Sequence, residues 1–301
     1  MQRLPLAEIR DRTCKPRDAW WTVLLVDPLA LRLVRLVYPY RWITPNLLSL
    51  FAFVLGLGSV ACFATGNRWW LIVGAVLFHL SFVVDCMDGK IARLNGTGTI
   101  FGVWFDFIFD RVRVLLCAVA LTGGQYARTG EIKYLWLAAA VIGLDLFRYL
   151  NGSQMGKIKS SMRSRLATAR GIVEEPAAVD DEGETESEQR PAAPPPAEGD
   201  RGVYLRFRNW LLRSRIRTHL FSGIEYEMTV FIIGPLIAAL VTDGVFWTSV
   251  AACALLLAFE ALLVARLYQL TRRFPAQLAK AEREKADRET AGGVTPLPTQ
   301  V

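Results

Sequence analysis

Six apolar windows, near residues 46–65, 69–87, 102–122, 133–150, 224–242 and 245–268, limit this chain more than any other feature. Each is about as long as a helix must be to cross roughly 30 Å of hydrocarbon. A backbone in lipid has to satisfy its own hydrogen bonds, so such windows fold as helices. The expected fold is an all-α, polytopic membrane protein with six transmembrane helices. Composition agrees. The 301 residues are 52% hydrophobic and 21% charged, with mean hydropathy +0.28, too apolar for an ordinary soluble domain and too charged for lipid throughout.

Basic residues orient these windows. The amino-terminal segment and residues 88–101, 151–223 and 271–301 hold most of the Lys and Arg, whereas the opposite loops hold Arg68, Arg128 and nearby Lys133. The positive-inside rule then predicts a multi-pass protein of the cell membrane with both termini cytoplasmic. The net charge of +7 is concentrated beside apolar runs, which favours membrane lipid over nucleic acid as the partner. The five cysteines form no C-x-x-C, so neither a zinc site nor a disulfide framework is indicated. Residues 1–18 are charged and lack the apolar core of a cleavable signal peptide, so none is expected.

The organisation expected in chain order starts with a cytoplasmic segment and interfacial helix over 1–42 and four spans over 43–150. A cytoplasmic loop over 151–223, two more spans over 224–270 and a tail over 271–301 complete it. Residues 19–42 alternate aromatic and aliphatic side chains with Arg32, Arg35 and Arg41 around Asp27 and Pro28, the pattern of an amphipathic helix lying at the interface. Thr44 is placed to cap the first span, with Pro45 at its first position. Residues 174–200 are rich in Glu, Asp and Pro with almost no large apolar side chains, and are expected to be disordered. Basic stretches flank that insert. Residues 204–220 fit an amphipathic helix on anionic lipid, while 157–170 read equally well as that or as the solvated extension of a helix.

Chemistry concentrates between the second and third windows. Asp85 and Asp88 are spaced i,i+3 and Asp106 and Asp110 i,i+4, so each pair occupies one face of its helix. Carboxylates at membrane depth are costly unless paired or metal-bound. Two neighbouring helices aiming four of them at one spot would call for hard cations, Mg²⁺ or Mn²⁺, and two ions would suit displacement at phosphorus. The full pattern is D-x-x-D-G-x-x-A-R, eight residues, then G-x-x-x-D-x-x-x-D, made by Asp85, Asp88, Gly89, Ala92, Arg93, Gly102, Asp106 and Asp110.

This pattern resembles the motif of the CDP-alcohol phosphotransferase (CDP-alcohol phosphatidyltransferase) family, membrane enzymes of phospholipid biosynthesis. The Thr44-Pro45-Asn46 opening of the first span is similar to that family as well. The resemblance implies Asp85, Asp88 and Asp106 as metal ligands. It implies Asp110 as a ligand or near neighbour that deprotonates the acceptor hydroxyl. Gly89, Ala92, Arg93 and Gly102 would then receive the CDP-alcohol. It further implies a transferase that moves a phospho-alcohol group, foremost phosphatidyl from CDP-diacylglycerol, to a polar hydroxyl acceptor with release of CMP, and a homodimer. Arg93 suits phosphate because its planar fork binds two oxygens at once.

The acceptor is less legible. Arg111, Arg113, Asp145, Arg148, Glu225, Glu227, Glu260 and Arg266 are charged residues in or beside apolar windows, and such residues are functional candidates or helix-to-helix pairs, Asp145 with Arg148 for instance. Arg148 and Arg266 together would suit a phosphorylated acceptor such as an inositol phosphate or glycerol phosphate. Two other readings remain: a small CDP-alcohol donor with a lipid acceptor, or a cation transporter using its intramembrane carboxylates. A transporter predicts acidic residues spread through the membrane and repeated halves; here the acids cluster and no repeat is found.

Overall fold

The computed structural model describes residues 4–40, 42–171, 206, 210–211, 213–217 and 219–292. The insert 174–200, residues 204–205, 207–209, 212 and 218 of the basic stretch, and the Gly/Pro-rich end lie outside them. Among the described residues the chain is helical, with no strand beyond one bridge between Asp18 and Ile216. In order come α1 (Leu6–Thr13), a π turn (Thr22–Val26) leading into α2 (Asp27–Val37), α3 (Pro45–Ala64), α4 (Arg68–Asn95), α5 (Ile100–Thr129) and α6 (Lys133–Ala169). Then follow α7 (Gly223–Met228), a second π turn (Thr229–Ile233), α8 (Gly234–Ala238) and α9 (Gly244–Gly292).

Among the described residues three helices, α3, α4 and α9, are long and apolar enough to cross a membrane. The other expected spans fall on α5, on α6 and on the run α7–α8. There Asp106, Asp110, Arg111 and Arg113 dilute α5, Asp145 and Arg148 dilute α6, and a π turn splits the last run. Length and hydropathy alone therefore give three spans rather than six. The basic residues 157–169 continue α6, which makes them a helix extension.

The chain divides into two compact units, one within Met1–Leu146 and Gln189–Leu257, the other within Phe147–Glu188 and Ala258–Val301. In the first, α3 is central, packing along both α4 and α5, while α4 and α5 make little backbone contact with each other. The segments at the front of the chain, α1 and α2, lie on α4. One face of α2 buries Asp27, Ala30, Leu31 and Val34, while Leu36 on the same helix is exposed. Local signals set the ends. Thr44 Oγ1 caps α3 by accepting from Leu47 N–H at 3.3 Å, and Thr99 Oγ1 caps α5 by accepting from Gly102 N–H at 3.0 Å. Between them Gly96, at φ 64°, closes α4 in the left-handed conformation that glycine adopts without steric cost.

The start of α6 meets the loop before α9 through Asp243. Its carboxylate accepts from Tyr134 Oη at 2.8 Å and pairs with Lys133 Nζ at 3.0 Å. The Lys133 bond first, then that of Tyr134, holds the Asp243 carboxyl below its ordinary value of 3.8. A depressed folded-state value gives stability above the unfolded one that is lost as pH falls through the folded one. The melting-temperature gap between the native protein and Asp243→Asn will be constant from pH 7 to about 5 and will close below about pH 4. A gap that is constant down to pH 2.5 would refute this clasp.

Candidate active site

The motif is carried by two helices that both lean on α3, and the space between them receives its carboxylates. Asp85 and Asp88 project from α4, and Asp106 from the second turn of α5. One oxygen from each of these three lies within 4.8 Å of the other two. Three like charges so close repel unless a cation sits among them, and an all-carboxylate donor set fits a hard divalent ion. From α3, the Ser49 hydroxyl donates to Asp88 Oδ2 and also to the Pro45 carbonyl at 3.2 Å. That bond fixes the orientation of one prospective ligand.

Asp110 joins the cluster indirectly. Its Oδ1 is 2.5 Å from Arg113 Nη2, and Arg113 Nη1 reaches Asp85 Oδ1 at 3.4 Å and Ser81 Oγ at 3.2 Å. Arg113 is 3% exposed, so this guanidinium neutralises the two carboxylates without help from water. Room for it comes from Gly56 on α3, where a Cβ would lie 2.6 Å from Arg113 Cδ. Spacing alone put all four aspartates at one point. The structure groups three of them and ties the fourth in through an arginine.

At the end of α4, the two terminal nitrogens of Arg93 sit 3.7 Å from the position a Cβ on Gly89 would take. The planar fork thus lies over a residue with no side chain. A Cβ on Gly102 would press to 3.0 Å from the capping Thr99 hydroxyl and 3.6 Å from Asn46 Oδ1. Ala92 lies between them on the chain and is partly exposed.

Residues 42–178 match the CDP-alcohol phosphatidyltransferase family. The chain carries a CDP-alcohol phosphatidyltransferase domain. Its relatives include the bifunctional IPC transferase and DIPP synthase of Aquifex aeolicus, 36% identical over 108 residues, which are 35% of this chain and 23% of that one. The phosphatidylinositol phosphate synthase of Corynebacterium glutamicum is 34% identical over 90 residues, 30% of this chain and 37% of the relative. The CDP-diacylglycerol–glycerol-3-phosphate 3-phosphatidyltransferase of Salmonella choleraesuis is 33% identical over 78 residues, 26% of this chain and 43% of the relative. The chain thus spans less than half the length of each of these relatives. Their shared region agrees with the apolar helices above in making this a membrane protein.

Within the phosphatidyltransferase domain, the remaining charges pair differently from the sequence reading. Asp145 pairs with Arg111, which donates Nη1 to both Asp145 oxygens at 3.0 and 2.9 Å and Nη2 to Glu227 Oε1 at 3.0 Å. Arg148 pairs with Glu260 at 3.2 Å, beyond the domain, while Arg266 is exposed. A spacing of i,i+3 made Asp145 and Arg148 look like partners, yet both residues reach other helices. Glu225 caps the start of α7, accepting from Ser222 N–H at 3.0 Å and Oγ at 2.8 Å. His79 rests edge-on to Trp21, ring centroids 6.2 Å apart, as a packing residue. Ser49, Ser81 and Gly56 escaped the sequence reading because small residues in an apolar run carry no pattern that marks them as supports.

Proposed function

We propose that this protein transfers a phosphatidyl group from CDP-diacylglycerol to the hydroxyl of a polar acceptor, an inositol phosphate or glycerol phosphate, releasing CMP. The observation that carries the reading is the trio of carboxylate oxygens from Asp85, Asp88 and Asp106 within 4.8 Å, beside the Arg93 fork over Gly89. The names of the relatives favour these acceptors, and the distribution of Lys and Arg favours a site on the cytoplasmic face of the cell membrane. The family resemblance adds a homodimer.

In this reading Asp85, Asp88 and Asp106 hold Mg²⁺ or Mn²⁺, two ions in all with Asp110 as a further ligand. Bound metal supplies charge neutralisation for the diphosphate and for the departing CMP. Gly89, Ala92 and Gly102 leave space for the nucleotide, and Arg93 grips a phosphate. The acceptor oxygen bonds to the phosphatidyl phosphorus as the phosphorus–oxygen bond to CMP breaks, and Asp110 takes the hydroxyl proton. Ser49 and Arg113 keep the carboxylates from turning away.

The test is release of CMP from radiolabelled CDP-diacylglycerol by purified protein with Mg²⁺ and a panel of polar acceptors. No release from any CDP-alcohol would turn the reading toward cation transport. For the base, Asp110→Asn keeps an oxygen for Arg113 and so leaves the protein folded. Its turnover is expected to fall about 10²–10⁴-fold, the usual loss for a missing general base. Native turnover in that variant would remove Asp110 from the mechanism.

A further inference from the structure

On the side of α4 turned away from Asp85 and Asp88, a second set of charges is buried that the chemistry above does not use. At 100° per residue, Lys90 points almost opposite to the two aspartates. Asp27 of α2 is 4% exposed and meets Lys90 Nζ at 3.0 Å through Oδ1 and Arg215 Nη1 at 3.3 Å through Oδ2. Lys90, also 4% exposed, reaches the Cys86 carbonyl at 3.4 Å.

Arg215 is fastened on three counts. Its Nε and Nη2 donate to the Lys15 carbonyl at 3.1 and 2.7 Å, in addition to the Asp27 contact. Its φ of 61° is unusual for a residue with a side chain, and such conformations persist only where the surroundings over-determine them. The neighbouring backbone is stitched as well: Asp18 N–H donates to the Arg215 carbonyl at 2.9 Å and Arg217 N–H to the Asp18 carbonyl at 3.0 Å. Trp20 Nε1 donates to the Leu220 carbonyl at 2.9 Å. On the other side, Arg93 Nε donates to the Thr13 carbonyl at 2.8 Å. Residues 13–20 are therefore held between Arg215, Arg217 and Leu220 on one side and the last two turns of α4 on the other, and the Asp27 carboxylate touches both Arg215 and Lys90.

We infer that Asp27 is a positioning residue for the donor: by bridging Lys90 and Arg215 it braces the end of α4 so that the Arg93 fork stays over Gly89. The inference rests on the reading of Gly89 and Arg93 as donor contacts. Losing Asp27 alone strands a buried ammonium and endangers folding. The decisive variant is therefore Asp27→Asn combined with Lys90→Met, which removes both charges, alongside Asp27→Glu, which keeps the bridge.

The double variant is expected to raise KM for CDP-diacylglycerol about 10-fold with kcat within about twofold of native, and Asp27→Glu to recover most of that loss. Amide hydrogen exchange over residues 13–20 and 89–96 will quicken in the double variant and return toward native in Asp27→Glu. A native KM in a folded double variant, or KM and kcat failing together in step with unfolding, overturns the inference alone. Unchanged exchange over 89–96 overturns it too. Native protein that releases no CMP from any CDP-alcohol overturns both this and the activity on which it rests.

Discussion

On the function proposed above, Mg²⁺ is expected to raise the melting temperature of the native protein, and changing Asp85 to alanine is expected to abolish that rise and to cut CMP release by more than about 100-fold. Removing a residue that merely supports a ligand costs about 10–100-fold, so loss of a ligand itself should exceed that range. Asp85 is central to the site, with an oxygen within 4.8 Å of Asp88 and Asp106 and another contact, at 3.4 Å, to Arg113. The two readouts separate binding from folding. In chelator, where like charges face one another, the variant should melt no lower than native protein, because one of the repelling charges is gone. Arg113 keeps Asp110 as a partner, so no buried cation is stranded. An Mg²⁺-dependent melting shift of native size in Asp85→Ala would dismiss the carboxylate trio as a metal site.

Replacing Arg113 by alanine is expected to destabilise the fold by about 3–5 kcal/mol, the cost of leaving buried charges without their partner. The side chain is 3% exposed, contacts Asp85, Asp110 and Ser81, and packs its aliphatic part against Gly56. Alanine would leave two carboxylates unrelieved and a hole beside Gly56. Arg113→Lys should recover only part of the loss, since an ammonium cannot span acceptors arranged for a planar fork. Denaturant unfolding in detergent measures both variants. A loss below about 1 kcal/mol for Arg113→Ala would mean that the pair is not held as the geometry implies.

The helices and the motif were legible because both depend on local order along the chain. Thr44 and Pro45 announce the start of α3, and the i,i+3 and i,i+4 spacings correctly give each aspartate pair a common face. Partners were not legible, because spacing fixes the direction of a side chain relative to its own helix and not which neighbour stands there. Asp145 and Arg148 show this, being one turn apart and yet bound to Arg111 and Glu260. Asp27 was read as a break in an interfacial helix. Its worth lies in Lys90 and Arg215, 63 and 188 residues away along the chain. The π turns at Thr22–Val26 and Thr229–Ile233 leave no mark in an apolar run, so their places could not be read from the sequence.

The length of α4 has a consequence for the lipid. Its 28 residues extend about 42 Å, and the exposed Trp69 and Trp70 at its start are the ring type that settles at a membrane boundary. Counting from Arg68 at 1.5 Å per residue, Asp85 comes after roughly 26 Å and Asp88 after roughly 30 Å, about the thickness of the hydrocarbon. With Trp69 and Trp70 at one boundary, the proposed site at Asp85 and Asp88 would stand at the far rim, level with glycerol and head groups. On that placement the diacyl donor proposed above would slide its pyrophosphate sideways into place with both tails still among their neighbours, neither hauled into water nor dragged through oil.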